Sequence, residues 1–140
     1  MSIWDQELLN DDGYCFACGK NNPHGLGMLV DYEDDGRSAS CRLSLERRFQ
    51  GWTGIAHGGV VSTLMDEIMA HAVLKHVGQG LTTDMQTRYR APVPLDEEIV
   101  VRGWVDETSR RLAITKSEIR LADGGKLLAE AEARFLLKVK

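Results

Sequence analysis

The stretch HGGVVSTLMDE, residues 57 to 67, decides how the whole chain is read. Its apolar residues recur at helical spacing. Val60, Val61, Leu64 and Met65 are continued by Ile68 and Ala72, so one apolar stripe runs along one face. This is the one long helix the sequence supports, and Gly78 and Gly80 close it. At about 100° per residue, Asp66 points nearly opposite the stripe. Gly59, Ser62, Thr63, Ala70 and Val73 share that side, with Glu67, His71 and Lys75 on the flank. A solvated helix face is the commoner arrangement, but such faces usually carry long charged side chains. Small residues around a single acid suit close approach by another chain or a ligand.

The helix start adds a second element. The first N–H groups of a helix lack internal partners and carry partial positive charge, so they favour an anion or a developing oxyanion. Gly58 and Gly59 leave those amides uncovered by side chains. The plainer alternative is that the glycines merely ease the turn into the helix.

Working outward, residues 1–25 are rich in Gly, Asn and Asp and read as irregular loop and turns, with a brief helix at the N-terminus. Residues 26–33 and 38–45 flank the turn sequence DDGR and read as an antiparallel pair. Residues 46–57 form an irregular loop holding Gly51 and Gly54. Beyond the helix the period changes to two. Met85, Thr87, Tyr89 and Ala91 alternate with polar residues, and after APVPL so do Ile99, Val101, Gly103 and Val105. Residues 111–121 form a further strand. The last strand puts Ala129, Ala131, Ala133, Phe135 and Leu137 on one face.

Two strands, one helix and four strands make an α+β chain, a single domain over residues 1–140. One helix cannot cover both faces of a six-stranded antiparallel sheet. The simplest packing curls the sheet around the helix, and a second subunit is expected to cover the remaining edges.

The totals agree with one soluble domain. The chain has 140 residues, 43% hydrophobic and 27% charged, with a formal net charge of −4 that disfavours a nucleic-acid partner. No apolar run approaches the ~20 residues that cross a bilayer, so no membrane insertion is expected. The N-terminal sequence lacks the pattern of a secretory signal, and a cytoplasmic location is expected. Cys15, Cys18 and Cys41 are an odd set, which disfavours a disulfide framework. Cys15-x-x-Cys18, with His24 nearby, holds the beginnings of a zinc or redox site. No fourth ligand is evident, so packed thiols and no metal are expected.

The segments FQGWTGIAHGGVVSTLMDE, LTTDMQTRYRAPVPL and KLLAEAEARFLL together resemble the hotdog-fold acyl-CoA thioesterases, in particular the PaaI-like group. The resemblance runs from about residue 15 to about residue 138 and keeps the order of elements. It implies a curved six-stranded antiparallel sheet wrapped around one long central helix. It implies a homodimer, often paired again into a dimer of dimers, with each active site between subunits. It also implies hydrolysis of acyl-CoA to a carboxylic acid and free coenzyme A, with no cofactor beyond the coenzyme A of the substrate. In that scheme the Gly58 amide polarises the thioester carbonyl. Asp66, from the partner subunit, attacks the carbonyl or activates a water. His57 and Gln50 support the oxyanion end or orient the water, and Thr82 supplies a further polar contact.

Thr83 beside Thr82, and Gly59 beside Gly58, are placed among the substrate contacts. Trp52 is a candidate lining for the acyl tunnel, or else a cap on the core. Arg88 and Arg90 share a strand face and are candidates for the coenzyme A phosphates; solvated strand arginines are the commoner case. Two rivals stand beside hydrolysis. One is a hydratase or dehydratase on the same fold. It is disfavoured because the Asp-x-Asn-Pro-x-His segment is missing and NNPHG, which superficially resembles it, precedes the first strand. The other is a non-catalytic acyl-CoA-binding dimer.

Overall fold

The computed structural model describes residues 9–138. The brief N-terminal helix expected from the sequence lies outside the described residues. The elements are β1 (Asp31–Tyr32), β2 (Ser38–Leu43), a 3-10 turn (Arg47–Phe49), α1 (Gly58–His76), β3 (Gly80–Tyr89), β4 (Ile99–Thr108), β5 (Leu112–Leu121) and β6 (Leu127–Leu137). The sheet has six strands in the order β1-β2-β4-β5-β6-β3, antiparallel throughout. The helix carries the chain from one end of the sheet to the other, so β3 becomes the edge strand beside β6. Register shifts in the β3–β6, β4–β5 and β5–β6 pairs mark irregularities of the kind that bend a sheet.

The first strand is shorter than the sequence suggests. Only Asp31–Tyr32 pair with β2. Residues upstream turn their amides to the N-terminal segment instead, Leu26 N–H to the Phe16 carbonyl at 2.9 Å and Met28 N–H to that of Ala17 at 3.0 Å. The segment around residues 13–28 is thereby strapped down.

The expected helical stripe is buried at Val61, Leu64, Met65, Ile68 and Ala72, and Met69 and Val73 join it. Val73 is a correction, because it is in the core and not on an open face beside Asp66. Strand β3 returns along that side of the helix and covers it. The inward residues of β4, Ile99, Val101, Gly103 and Val105, are buried, as are Ala129, Ala131, Ala133 and Phe135 of β6. Gly103 sets the closest approach of helix to sheet. A Cβ there would lie 2.9 Å from Ile68 Cγ2 and 3.1 Å from Met69 N, so the helix backbone occupies the space a side chain would need. At the far end of α1, His76 Nε2 lies 3.0 Å from the Ser38 carbonyl and ties the last turn to β2.

Candidate functional site

The loop ahead of α1 folds as a small hairpin of its own. Gln50 bridges to Ala56 and Ile55 to Pro94. The His57 N–H donates to the Phe49 carbonyl at 2.9 Å. Gln50 Oε1 accepts from Gly54 N–H at 2.9 Å, which steadies the loop and leaves the amide NH2 of Gln50 as a donor. A Cβ on Gly51 would sit 3.1 Å from His57 Cα, so a residue without a side chain follows Gln50.

His57 is the N-cap of α1. Its Nδ1 accepts the Gly59 N–H at 2.9 Å, which places the proton of the neutral ring on Nε2, an exposed donor. This corrects the expectation of two bare amides, since the Gly59 N–H is taken. A Cβ on Gly59 would lie 3.1 Å from His57 Nδ1, so the imidazole folds over this turn because residue 59 is glycine. The Gly58 N–H finds no acceptor among the described residues and stays exposed. The first turn is held from the sheet by Tyr89, whose hydroxyl donates to the Gly58 carbonyl at 3.1 Å and lies 2.5 Å from Ser62 Oγ. The sequence shows Tyr89 only as part of Tyr-x-x-Pro and gives no sign of this clamp.

Asp66 lies in the third turn, half-buried, with its Oδ1 accepting from Thr82 Oγ1 at 2.8 Å. Burial pushes its carboxyl up from the ordinary range. The Thr82 hydrogen bond pulls the other way, and the neighbouring Glu67 charge adds to the rise. Thr82 reaches Asp66 because of the break in register between Thr82 and Asp84. Thr83 is the extra residue, so Thr82 and Met85 both point to the helix side. The Thr83 hydroxyl turns away and donates to the Arg134 carbonyl at 3.1 Å, separating it from its neighbour's site.

Arg88 and Arg90 are also kept apart from Asp66 within one protomer. Arg88 is on the outer face of the sheet with Gln86 and Trp104, and Arg90 Nε pairs with Glu130 at 2.8 Å. The pleat that turns Met85 and Thr87 inward turns these arginines outward. Trp52 is 83% exposed, so it does not cap the core. Asp66 follows Gly58 by eight helical positions, about 12 Å along the axis, so the two cannot act on one carbonyl from the same protomer.

A family model described as the thioesterase superfamily matches residues 53–128, more than half of the chain. The chain belongs to the thioesterase superfamily. Among curated relatives, acyl-coenzyme A thioesterase 13 of Homo sapiens is 32% identical over 92 residues, which is 64% of this chain and 66% of that protein. The match therefore spans just under two thirds of that relative's length. Among solved structures, the thioesterase superfamily protein RHA08564 superposes with a TM-score of 0.83 at 28% identity, over 89% of this chain and 60% of that one. A mutant of the phenylacetic acid degradation protein PaaI from Thermus thermophilus gives a TM-score of 0.72 at 24% identity, over 80% of this chain and 94% of that one. These structures carry the hotdog fold, as does this chain.

In this thioesterase-superfamily chain a second cluster lies against the next position of α1. Cys15 Sγ is 3.8 Å and 3.9 Å from the two Glu67 oxygens. Glu67 Oε2 is 3.0 Å from His71 Nε2, and His71 Nδ1 is 2.8 Å from the Tyr32 hydroxyl. Burial, then the Glu67 carboxylate and Cys15, push the Cys18 thiol far above its ordinary value. Burial alone would raise Glu67, but hydrogen bonds from His71, Cys18 and Cys15 outweigh it and hold the carboxyl low. Nothing in the local sequence joins Cys15 and Cys18 to Glu67, since the residues lie in distant parts of the chain.

Proposed function

We propose that this chain hydrolyses an acyl-CoA thioester to a carboxylic acid and free coenzyme A, in a site shared by two copies of the chain. The observation that carries the reading is the pairing of two unfinished features. One is the exposed Gly58 amide with no acceptor among the described residues; the other is the half-buried Asp66 carboxylate oriented by Thr82. They are too far apart to act together in one protomer, and a shared site would bring them together across two. The thioesterase relative supports the substrate class.

A thioester carbonyl placed on the Gly58 N–H gains charge on its oxygen as the carbonyl carbon is attacked, and the helix N-terminus stabilises that charge. The Nε2–H of His57 and the NH2 of Gln50 are the further donors at this end. The partner's carboxylate at position 66 attacks the carbon or takes the proton of an attacking water, and either route requires the ionised form. Burial makes this carboxylate a stronger base than a free one. The thiolate of coenzyme A leaves without a strong acid.

The dimer that completes the site is proposed to form along β3, ten residues of edge strand bonded on one side to β6. An edge of that length invites pairing with a second copy. Trp52 and Tyr89 are large and exposed in the protomer, and Tyr89 sits at the helix start, where a partner would cover it.

Release of free thiol from short, medium, long and aromatic acyl-CoAs tests the reading. Turnover of at least one class, lost in Asp66→Asn, supports it. Tight acyl-CoA binding without thiol release from any class contradicts it. No helix among the described residues is long and apolar enough to cross a membrane.

A further inference from the structure

We propose that Cys15, Cys18, Glu67 and His71 form a binding site for one zinc ion that clamps the N-terminal segment to α1. The proposal stands apart from the role given to Asp66.

Cys15 Sγ, Cys18 Sγ and a Glu67 oxygen all lie within 4.8 Å of one another. Two Zn–S bonds of about 2.3 Å at a tetrahedral angle put their sulfurs ~3.8 Å apart, so the two thiols need close by about an ångström or less. The fourth donor borders this trio and is not yet among it: His71 Nε2 is 3.0 Å from Glu67 Oε2, and a side-chain shift toward the thiols would bring it onto the ion. Its other nitrogen meets the Tyr32 hydroxyl at 2.8 Å, the kind of outer partner that fixes the ring of a metal-bound histidine. Two thiolates, a carboxylate and an imidazole suit zinc and disfavour magnesium or calcium, which take oxygen.

The donors are held by the fold. Gly19 follows Cys18, and a Cβ there would lie 2.3 Å from Cys15 N and 2.7 Å from Cys15 O, so the turn closes only around glycine. The Gly19 N–H donates to the Cys15 carbonyl at 2.9 Å, and Asn21 N–H to that of Gly13 at 2.9 Å. With the bonds from Leu26 and Met28 to Phe16 and Ala17, both thiols are fixed against the helix. A cavity of about 380 Å3 lined by Asp11, Asp12, Tyr14 and Leu74 opens onto the cluster and gives an ion a way in. His24 is not among the ligand atoms gathered here.

Binding forms two Zn–S bonds, one Zn–O bond and one Zn–N bond, with no change of oxidation state. Each thiol releases its proton to solvent. With Nε2 on the metal the ring proton sits on Nδ1, where it donates to the Tyr32 oxygen, and the Tyr32 O–H rotates away. The two thiols together release two protons per zinc.

The test titrates reduced, metal-stripped full-length protein with Zn2+ in competition with a chromophoric chelator. Proton release is followed in weak buffer, and a parallel titration with Co2+ is followed by visible absorption. One equivalent of zinc, about two protons, and intense tetrahedral cobalt bands with thiolate charge transfer are expected. Cys15→Ser/Cys18→Ser should abolish stoichiometric binding, and Glu67→Gln and His71→Asn should each weaken it at least tenfold. Wild-type binding no tighter than that of the double serine variant overturns the site. So does binding unchanged in both Glu67→Gln and His71→Asn. Should a variant fail to fold, the wild-type cobalt spectrum decides: tetrahedral thiolate bands support the site, and the weak spectrum of octahedral cobalt overturns it.

Discussion

Gly58→Pro isolates the backbone donor from everything else at the helix start. Proline removes the N–H and leaves the carbonyl, so Tyr89 keeps its acceptor. Position 58 is the first helical residue, where proline is well tolerated. The preceding residue, His57, has φ −60° and ψ 135°, a conformation that a following proline favours. A Cβ at position 58 would come no closer than 3.8 Å to the Tyr89 ring, an ordinary contact. The variant should therefore fold, with a Tm equal to or above wild type because proline restricts the unfolded chain. Loss of one oxyanion donor costs about 3 kcal/mol in comparable sites, which is roughly a 150-fold fall in kcat. Gly58→Ala keeps the N–H and should stay within about threefold of wild type, since only a van der Waals contact is added. Both are read by thiol release from acyl-CoA, with circular dichroism melts to confirm the fold. A folded Gly58→Pro enzyme with wild-type kcat would refute the oxyanion role of this amide.

Three other perturbations bear on the acid and on the packing that positions it. Asp66→Asn should abolish thiol release while keeping the fold, because an amide oxygen still accepts from Thr82. Burial raises the Asp66 pKa, so the folded chain keeps a proton that the unfolded chain has lost, and stability falls as pH rises through that window. Asp66→Asn should accordingly melt higher than wild type at neutral pH, with the gap closing in acid; a gap that widens in acid would contradict the assignment. Thr82→Val removes the donor that lowers Asp66, so the acid limb of the pH–rate profile should move to higher pH, and an unmoved limb would rule out this hydrogen bond as a tuning contact. Gly103→Val should cost about 1–3 kcal/mol in urea denaturation, because its side chain must displace the helix at Ile68 and Met69, and no loss would mean the helix can shift freely.

The helix and its polarity were legible because a period of 3.6 is written directly in Val61, Leu64, Met65, Ile68 and Ala72. The strands were legible where the pleat runs unbroken, as in Ile99, Val101, Gly103 and Val105. Reading failed where a local rule was interrupted or the partner was remote. The register break at Thr83 sends Thr82 and Thr83 to different surroundings, and alternation alone cannot place such an irregularity. Val73 shares a helical side with Asp66, yet it is buried, and helical spacing alone does not show where along one side the cover ends. Gly58 and Gly59 look equivalent in the sequence, and only the His57 ring, folded back on one amide, tells them apart. The cysteine pair gained Glu67 and His71 as neighbours through the strapping of the N-terminal segment, a contact with no periodic signature.

The shared site is tested most directly by mixing two defects. Asp66→Asn and Gly58→Pro chains carrying different affinity tags are co-expressed, and the heterodimer is purified through both tags. If Gly58 of one protomer works with the partner's acid, each heterodimer holds one intact site and one doubly defective site, and about half of wild-type thiol release returns from one inactive and one severely impaired parent. If both groups serve a site within a single protomer, every site carries a defect, and the heterodimer stays as inactive as its parents.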